Sequence, residues 1–363
     1  MTRYLAKWWT VAVPSLALLA LVLSWGRDLS TSGAIVLAVI LAGAVLAAVH
    51  HAEVIAHRVG EPFGSLVLAV AVTVIEVALI VSLMISGGER TATLARDTVF
   101  AAVMITCNGI IGLSLLSGTL RRRTALFNAE GSGGALAAVA TLSTLSLVLP
   151  TFTTSAKGPA FSPAQLAFAA VGSLALYGLF VLTQTVRHRD YFLPVPRDGR
   201  PVSEEEHAPT PSGRTTLVSL GMLLVALVSV VGLAKVESPV IETTVRAAGL
   251  PQSVVGVVIA LLVLLPETLA AVRAARRDQI QVSLNLALGS AMASIGLTIP
   301  TIAVSSIWLQ GPLVLGLGGT HMVLLGLTFV VTTLTVVPGR ATLLQSGVHL
   351  VLFAAFLFLA ISP

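Results

Sequence analysis

Two glutamates, Glu76 and Glu267, lie deep within long apolar stretches of this 363-residue chain. Of its 16 acidic residues, only these two lie well inside a predicted membrane-spanning segment, and no lysine or arginine lies equally deep. A carboxylate at the centre of a bilayer costs about 2.5–3.5 kcal/mol, so it is rare without a function. The pair therefore predicts a buried site for a cation or a proton. A purely structural role would require each carboxyl group to be protonated and hydrogen-bonded to a neighbouring helix.

The sequence around these glutamates offers neutral oxygen ligands. Pro266 interrupts the helical hydrogen-bond ladder just before Glu267, which frees backbone carbonyl groups for a cation. Thr73 lies one helical turn before Glu76. The following helix of each half adds hydroxyl and amide side chains: Thr106, Asn108 and Ser114 in the first, and Asn285, Ser290, Ser294 and Thr298 in the second. Such oxygen ligands suit a hard cation such as calcium or sodium, whereas zinc would favour histidine or cysteine.

A second polar pattern follows the second apolar stretch. His50, Glu53, His57 and Glu61 recur at intervals of three, four and four residues, so one helical face carries all four. Because histidine titrates near neutral pH, Glu53, His57 and Glu61 are candidates for a cytosolic mouth that collects cations or senses protons. An ordinary solvated turn beside the membrane explains the same pattern and is the simpler interpretation.

The composition indicates that these residues belong to an all-α integral membrane protein. Hydrophobic residues make up 56% of the chain and charged residues 10%, against about 25% charged residues in soluble proteins. These values exclude a soluble enzyme, a coiled coil and intrinsic disorder, and runs of about 20 apolar residues recur along the chain. We predict about eleven transmembrane helices, at 8–25, 33–49, 64–86, 98–119, 133–152, 164–186, 215–234, 254–275, 281–304, 312–337 and 342–361.

The distribution of basic residues predicts the orientation of these helices. Of the 21 lysines and arginines, 15 lie on the side that holds the N-terminus and the loops after helices 2, 4, 6, 8 and 10. The richer side should be cytosolic, which places the C-terminus outside. A stretch rich in proline, with the acidic run Glu204-Glu205-Glu206, predicts a flexible cytosolic loop at 188–214.

The two halves of the chain resemble each other. Each has a Gly-X-Pro sequence just before the helix that carries its glutamate, and each has a related tetrad in the next helix, Ile111-Gly112-Leu113-Ser114 and Ile295-Gly296-Leu297-Thr298. Five helices per half is an odd number, so the second half must enter the membrane from the opposite side. We therefore predict a first helix at 1–32, a five-helix repeat at 33–187, the loop, and an inverted five-helix repeat at 215–363.

Three segments resemble the bacterial calcium/proton antiporters of the cation/proton exchanger family, in particular the branch also described as sodium/proton and potassium/proton antiporters. They are GEPFGSLVLAVAVTVIEVALI at 60–80, VMITCNGIIGLSLL at 103–116 and LPETLAAVRAARRDQIQVSLNLALGSAMASIGLTIP at 265–300. The resemblance covers nearly the whole chain and implies that Glu76 and Glu267 are the essential acidic residues of the two repeats. The wider family has Gly-Asn four and three residues before each glutamate. This chain has Val72-Thr73 and Val263-Leu264 there and lacks those amide ligands.

The expected function is exchange of a cation, foremost Ca²⁺ and alternatively Na⁺ or K⁺, for protons across a bacterial inner membrane. A passive channel predicts a continuous polar stripe, whereas the polar residues here cluster at mid-depth. An intramembrane enzyme would need a nucleophile or a metal triad near the glutamates, and the sequence offers neither. We expect no cofactor, no nucleic-acid partner and, with Cys107 as the single cysteine, no disulfide within the chain. The sequence leaves the oligomeric state open.

Overall fold

The computed structural model describes residues 2–27, 29–60, 63–87, 92–195, 211–308 and 313–363, and 82% of the structure is helical. The helices are α1 Thr2–Ser24, α2 Thr31–Val59, α3 Phe63–Gly87, α4 Leu94–Arg121, α5 Ala129–Phe152, α6 Pro163–Arg187, α7 Gly213–Ala247, α8a Ser253–Val263, α8b Leu265–Arg276, α9 Ile280–Ser305, α10 Gly319–Val336 and α11 Leu343–Ile361. A short 3-10 turn covers Arg189–Phe192. Two short strands, β1 Ala125–Leu126 and β2 Arg340–Ala341, pair antiparallel.

Most of these helices can cross a membrane. Within the described parts of the chain, eight helices are long and apolar enough to span a bilayer, or nine if α8a and α8b form one bent span. Shorter apolar helical stretches cover Trp8–Ser24 in α1 and Ala71–Ile85 in α3. The predicted all-α membrane fold is confirmed. The number of eleven spans stays a prediction.

Three helix boundaries differ from those predicted by seven residues or more. α2 ends at Val59 instead of 49, α7 ends at Ala247 instead of 234, and α10 begins at Gly319 instead of 312. Hydropathy marks only the apolar part of a helix, whereas the backbone of α2 continues through charged residues until Gly60. That glycine has a φ of 76°, a left-handed conformation that ends helices and favours glycine.

The helices α4 and α9 form the centre of the molecule. In their most apolar windows, 89% of α4 and 61% of α9 is buried, against 22% of α6. Two glycines allow close approach: a Cβ at Gly112 would lie 3.0 Å from Leu350 in α11, and a Cβ at Gly296 would lie 2.7 Å from Tyr177 in α6. The glycine of each predicted repeat therefore packs against the last helix of the other repeat.

Three helices contain a π-helical turn: α4 at Ile105–Ile110, α5 at Thr144–Val148 and α6 at Thr183–Arg187. A π-helical turn inserts one residue into a helix and often lies at a functional site. Because the inserted residue rotates everything that follows it, the side chains beyond the turn face a direction that simple helical periodicity does not predict.

Candidate cation-binding site

A cavity of about 190 Å³ lies between α3, α6, α8b and α9. Five residues singled out from the sequence line it: Thr73, Glu76, Glu267, Asn285 and Ser290. The two glutamates, 191 positions apart in the sequence, thus reach one site. Within the described residues, no group of three or more histidine, cysteine, aspartate or glutamate side chains is arranged to hold a metal ion.

Glu76 is the more firmly held of the two glutamates. It lies on α3, its side chain is only 4% exposed, and the hydroxyl group of Ser294 donates a hydrogen bond of 2.6 Å to its Oε1. Hydrogen bonds to an ionised acceptor are shorter and stronger than neutral ones. Thr73 is also buried one turn earlier on the same helix. Ser294 therefore orients the Glu76 carboxyl group beside the cavity.

Glu267 lies just after a break in its helix. α8a ends at Val263, α8b begins at Leu265, and the two axes differ by 50°. Pro266 is buried near the start of α8b, where its ring cannot continue the backbone hydrogen bonds of α8a. The Oε2 atom of Glu267 is buried and has no hydrogen-bond partner among the described residues. Glu267 also lies close enough to Glu76 to interact with it electrostatically.

The residues on α9 differ in what they offer a ligand. Ser290 presents its side chain to the cavity. The amide of Asn285 is engaged elsewhere: its Nδ2 donates to the Phe192 carbonyl at 2.6 Å, and its Oδ1 accepts from Gln281 Nε2 at 2.8 Å. Asn285 thus fixes the 3-10 turn at Arg189–Phe192 against α9, although it also borders the cavity.

Helix α6 supplies a wall that sequence reasoning missed. Tyr177, Phe180, Val181, Gln184 and Thr185 line the cavity, the last two within the π-helical turn. In the sequence, Gln184 and Thr185 look like ordinary polar residues at a helix end. Neither a charge nor a match between the repeats distinguishes them in the sequence. The π-helical turn of the backbone is what directs their side chains to the cavity.

The structure does not bring the polar residues of α4 to this cavity, because none of the described residues that line it belongs to that helix. Asn108 instead donates to Thr328 Oγ1 at 2.9 Å and lies 3.3 Å from His349 Nδ1. Thr106 donates to the Ala102 carbonyl. Asn108 thus joins α4 to α10 and α11, whereas Thr106 bonds within its own helix.

Ser114, near the end of α4, also serves helix packing. It accepts a 2.6 Å hydrogen bond from Ser283 on α9, and both side chains are buried.

The predicted mouth lies on the end of α2. Glu53 and His57 are exposed, and Glu53 is close enough to Arg273 and Glu267 to interact electrostatically with both. Glu61 lies outside the described residues. The role of this face as a mouth stays a prediction.

Among the described residues, two further acidic side chains are buried, whereas the sequence predicted deep charges at Glu76 and Glu267 alone. Glu237 on α7 is 3% exposed, and its Oε1 has no hydrogen-bond partner in the described part of the chain. The prediction missed Glu237 because α7 extends 13 residues beyond its expected end. Asp97 is 6% exposed and forms a 2.8 Å ion pair with Arg96.

Known proteins are similar to this chain in sequence. The sequence profile described as "Sodium/calcium exchanger protein" matches residues 29–186 and 218–362. The chain is 49% identical to "Putative ionic transporter y4hA" of Sinorhizobium fredii over 324 residues, covering 89% of this chain and 87% of that protein. It is 34% identical to the sodium-potassium/proton antiporter ChaA of Escherichia coli over 348 residues, covering 95% and 93%.

Two solved structures have a similar fold. Native YfkE superimposes with a TM-score of 0.71 at 15% identity, covering 98% of this chain and 99% of that one. The H⁺/Ca²⁺ exchanger CAX superimposes with a TM-score of 0.67 at 15% identity, covering 97% and 88%.

Proposed function

The chain belongs to the sodium/calcium exchanger family, and from this premise we propose that it exchanges a metal cation for protons at Glu76 and Glu267. The observation that carries the proposal is that both carboxyl groups border one buried cavity and interact with each other. The family consists of exchangers and not of enzymes. A relative of 34% identity, ChaA, is a proton antiporter by name.

The mechanism follows from the charge of the two carboxylates. Two neighbouring negative charges removed from water must be neutralised, and protons or a cation can do so in turn. Each pH unit across the membrane supplies about 1.4 kcal/mol per proton. Each 100 mV supplies about 2.3 kcal/mol per net charge moved. Protons that bind on one side therefore displace the cation on the other.

The cavity is proposed to face the cytosol. Its α6 wall belongs to the second half of that helix, and its α9 wall to the first half. Both lie towards the side on which the excess of lysine and arginine predicts the cytosol. The reciprocal packing of Gly112 against α11 and of Gly296 against α6 supports two inverted repeats, one of which would rock against the other.

Two classes of cation are candidates for this site, divalent Ca²⁺ and monovalent Na⁺ or K⁺, and a different observation favours each. A pair of carboxylates balances one divalent ion, which favours Ca²⁺. The supply of ligands argues against Ca²⁺, which takes six to eight oxygen ligands. Leu264 is apolar at a position where the wider family has an amide, and the amide of Asn285 is bound to the Phe192 carbonyl. The name of ChaA as a sodium-potassium/proton antiporter also favours Na⁺ or K⁺.

The test is cation flux in proteoliposomes driven by an imposed pH gradient, measured separately with Ca²⁺, Na⁺ and K⁺. Glu76→Gln and Glu267→Gln retain size and a carbonyl oxygen but remove the charge. We expect each to abolish coupled flux, because an uncharged side chain can no longer be neutralised by protons and by a cation in turn. Glu130→Gln, a change at an exposed glutamate, is the matched control and should keep wild-type flux.

The apparent cation affinity should rise with pH by at most about tenfold per unit for one competing proton. Near wild-type exchange in either buried variant would show that this glutamate is structural.

A further inference from the structure

Six exposed arginines form one basic patch at the ends of α4, α8b and the β-ribbon. We define the patch as Arg121, Arg122, Arg123, Arg276, Arg277 and Arg340, all of which are exposed. This side of the protein is the one that the basic residues predict to be cytosolic. An excess of positive charge alone would explain arginines anywhere on that side. It does not explain why three separate loops bring six of them together.

Specific contacts hold these loops in place. Arg121 Nη1 on α4 donates a 2.6 Å hydrogen bond to the Arg276 carbonyl at the end of α8b. Arg122 Nε lies 3.8 Å from Asp278 Oδ2 in the turn after α8b. Arg340 is the direct partner of Leu126 in the β-ribbon. Since residues 123–126 span at most about 10 Å, this pairing places Arg340 in the same region of the surface as Arg123.

An apolar groove begins beside this patch. Leu343, Leu344, Gly347, Val348, Val351 and Leu352 of α11 line a groove of about 610 Å³, which we call the α11 groove. Leu344 is 76% and Val351 68% exposed, as expected for side chains that face acyl chains. The first residue of the α11 groove, Leu343, follows Arg340 by three positions. Because α4 and α11 pack together, the end of α4 at Arg121 and the start of α11 lie at the same side.

We propose that the basic patch and the α11 groove together bind an anionic phospholipid. The guanidinium groups would bind the phosphate, since arginine presents paired donors that match phosphate oxygens. The groove would hold an acyl chain that runs along α11 into the membrane. Basic pockets between helices on the cytosolic side of a membrane are suited to anionic head groups. The site is independent of which cation the protein transports.

The test measures lipid binding to the full-length protein. Delipidated protein in detergent is titrated with phosphatidylglycerol or with phosphatidylcholine of identical acyl chains, and bound lipids are counted by native mass spectrometry. The patch variant combines Arg122→Gln, Arg276→Gln and Arg340→Gln, which leaves the Arg121 hydrogen bond in place. The control variant combines Arg27→Gln, Lys157→Gln and Arg246→Gln, three exposed residues outside the patch with the same total charge change.

Wild-type protein should prefer phosphatidylglycerol. Each basic residue near an anionic head group contributes about fivefold, so the patch variant should lose affinity on the order of 100-fold. The control variant should bind as the wild type does, and both variants should unfold at wild-type temperature. Equal preference in the patch variant and the wild type would overturn the site. An equal loss of affinity in both variants would also overturn the site, because it would show that lipid binding depends only on the net charge of the protein.

A further variant separates a lipid from other anions. Gly347→Leu fills the α11 groove, where a Cβ would meet no atom within 4 Å. It should weaken diacyl phosphatidylglycerol but leave competition by glycerol phosphate unchanged. Unchanged lipid affinity would instead identify a site for free phosphate. If the wild type bound lipid only after Glu204, Glu205 and Glu206 were changed to Gln, the acidic loop would be the occupant and the lipid proposal would be wrong.

Discussion

Substitution of Ser294 by alanine tests the proposed site at its best-defined contact. Its hydroxyl group donates a 2.6 Å hydrogen bond to Glu76 Oε1, and both side chains are buried. A hydrogen bond to an ionised group contributes about 1.5–3 kcal/mol, against about 0.5–1.5 kcal/mol for a neutral pair. Its loss destabilises the charged carboxylate, so a higher pH is needed before the proton leaves and the cation enters.

The magnitude can be worked out from this contact. The two strengths differ by about 1–1.5 kcal/mol. One pH unit corresponds to about 1.4 kcal/mol, so Ser294→Ala should move the pH of half-maximal cation affinity upward by about one unit. The assay is cation-dependent proton flux in proteoliposomes at symmetrical pH values between about 6 and 9. The maximal rate at high pH should remain close to that of the wild type, because both carboxylates are still present.

Ser283→Ala is a matched control on the same helix. Ser283 is also buried and also makes a 2.6 Å hydrogen bond, but to the neutral hydroxyl group of Ser114 and away from the cavity. It should lower the free energy of unfolding by about 1 kcal/mol and leave the pH profile in place. A pH profile that stays fixed in Ser294→Ala, or moves to lower pH, would refute the role of this hydroxyl group.

The remaining predictions concern topology, the α4 network and the break in α8. A reporter fused after Arg200 should be cytosolic and one fused after Pro363 external; the same location for both would exclude an odd number of spans. His349→Leu leaves buried polar partners unsatisfied at a cost of about 1–3 kcal/mol, so thermal unfolding should occur at lower temperature while cation preference is unchanged; altered preference would place this network in the transport path. Pro266→Ala should favour a straight α8 by up to about 3 kcal/mol and slow exchange at least tenfold. The control Pro300→Ala on α9 should leave the rate of exchange unchanged. Exchange at the wild-type rate in Pro266→Ala would show that the break is dispensable.

The sequence singles out the two glutamates, because the energetic cost of a buried charge makes it conspicuous in an apolar segment, and the structure places both at one cavity. It also singles out Ser290 and Thr73, which line the same cavity. It failed for Asn108, which binds Thr328 on α10. A polar residue in the middle of a helix can face any neighbour, and the π-helical turn at Ile105–Ile110 changes that direction further.

Two other features lay beyond sequence reasoning for a different reason. Glu237 seemed to lie outside the membrane because hydropathy falls near residue 234, yet α7 continues and buries it against neighbouring helices. Gln184 and Thr185 were missed because polar residues near a helix end suggest contact with solvent, whereas both line the cavity. In both cases burial depends on which helices pack nearby, and the composition of a single segment does not contain that information.

The two glutamates have unequal surroundings, and this inequality suggests how they divide the work of exchange. Glu76 already accepts a hydrogen bond from Ser294, which stabilises its charged form without any ion. Glu267 has a buried oxygen without a partner among the described residues, and its neighbour Glu76 repels its negative charge. In the proposed exchange, Glu267 is therefore the group whose unpartnered oxygen a proton or a cation would satisfy in turn. Because it follows the break in α8 and borders the cavity, we propose that it exchanges the two there.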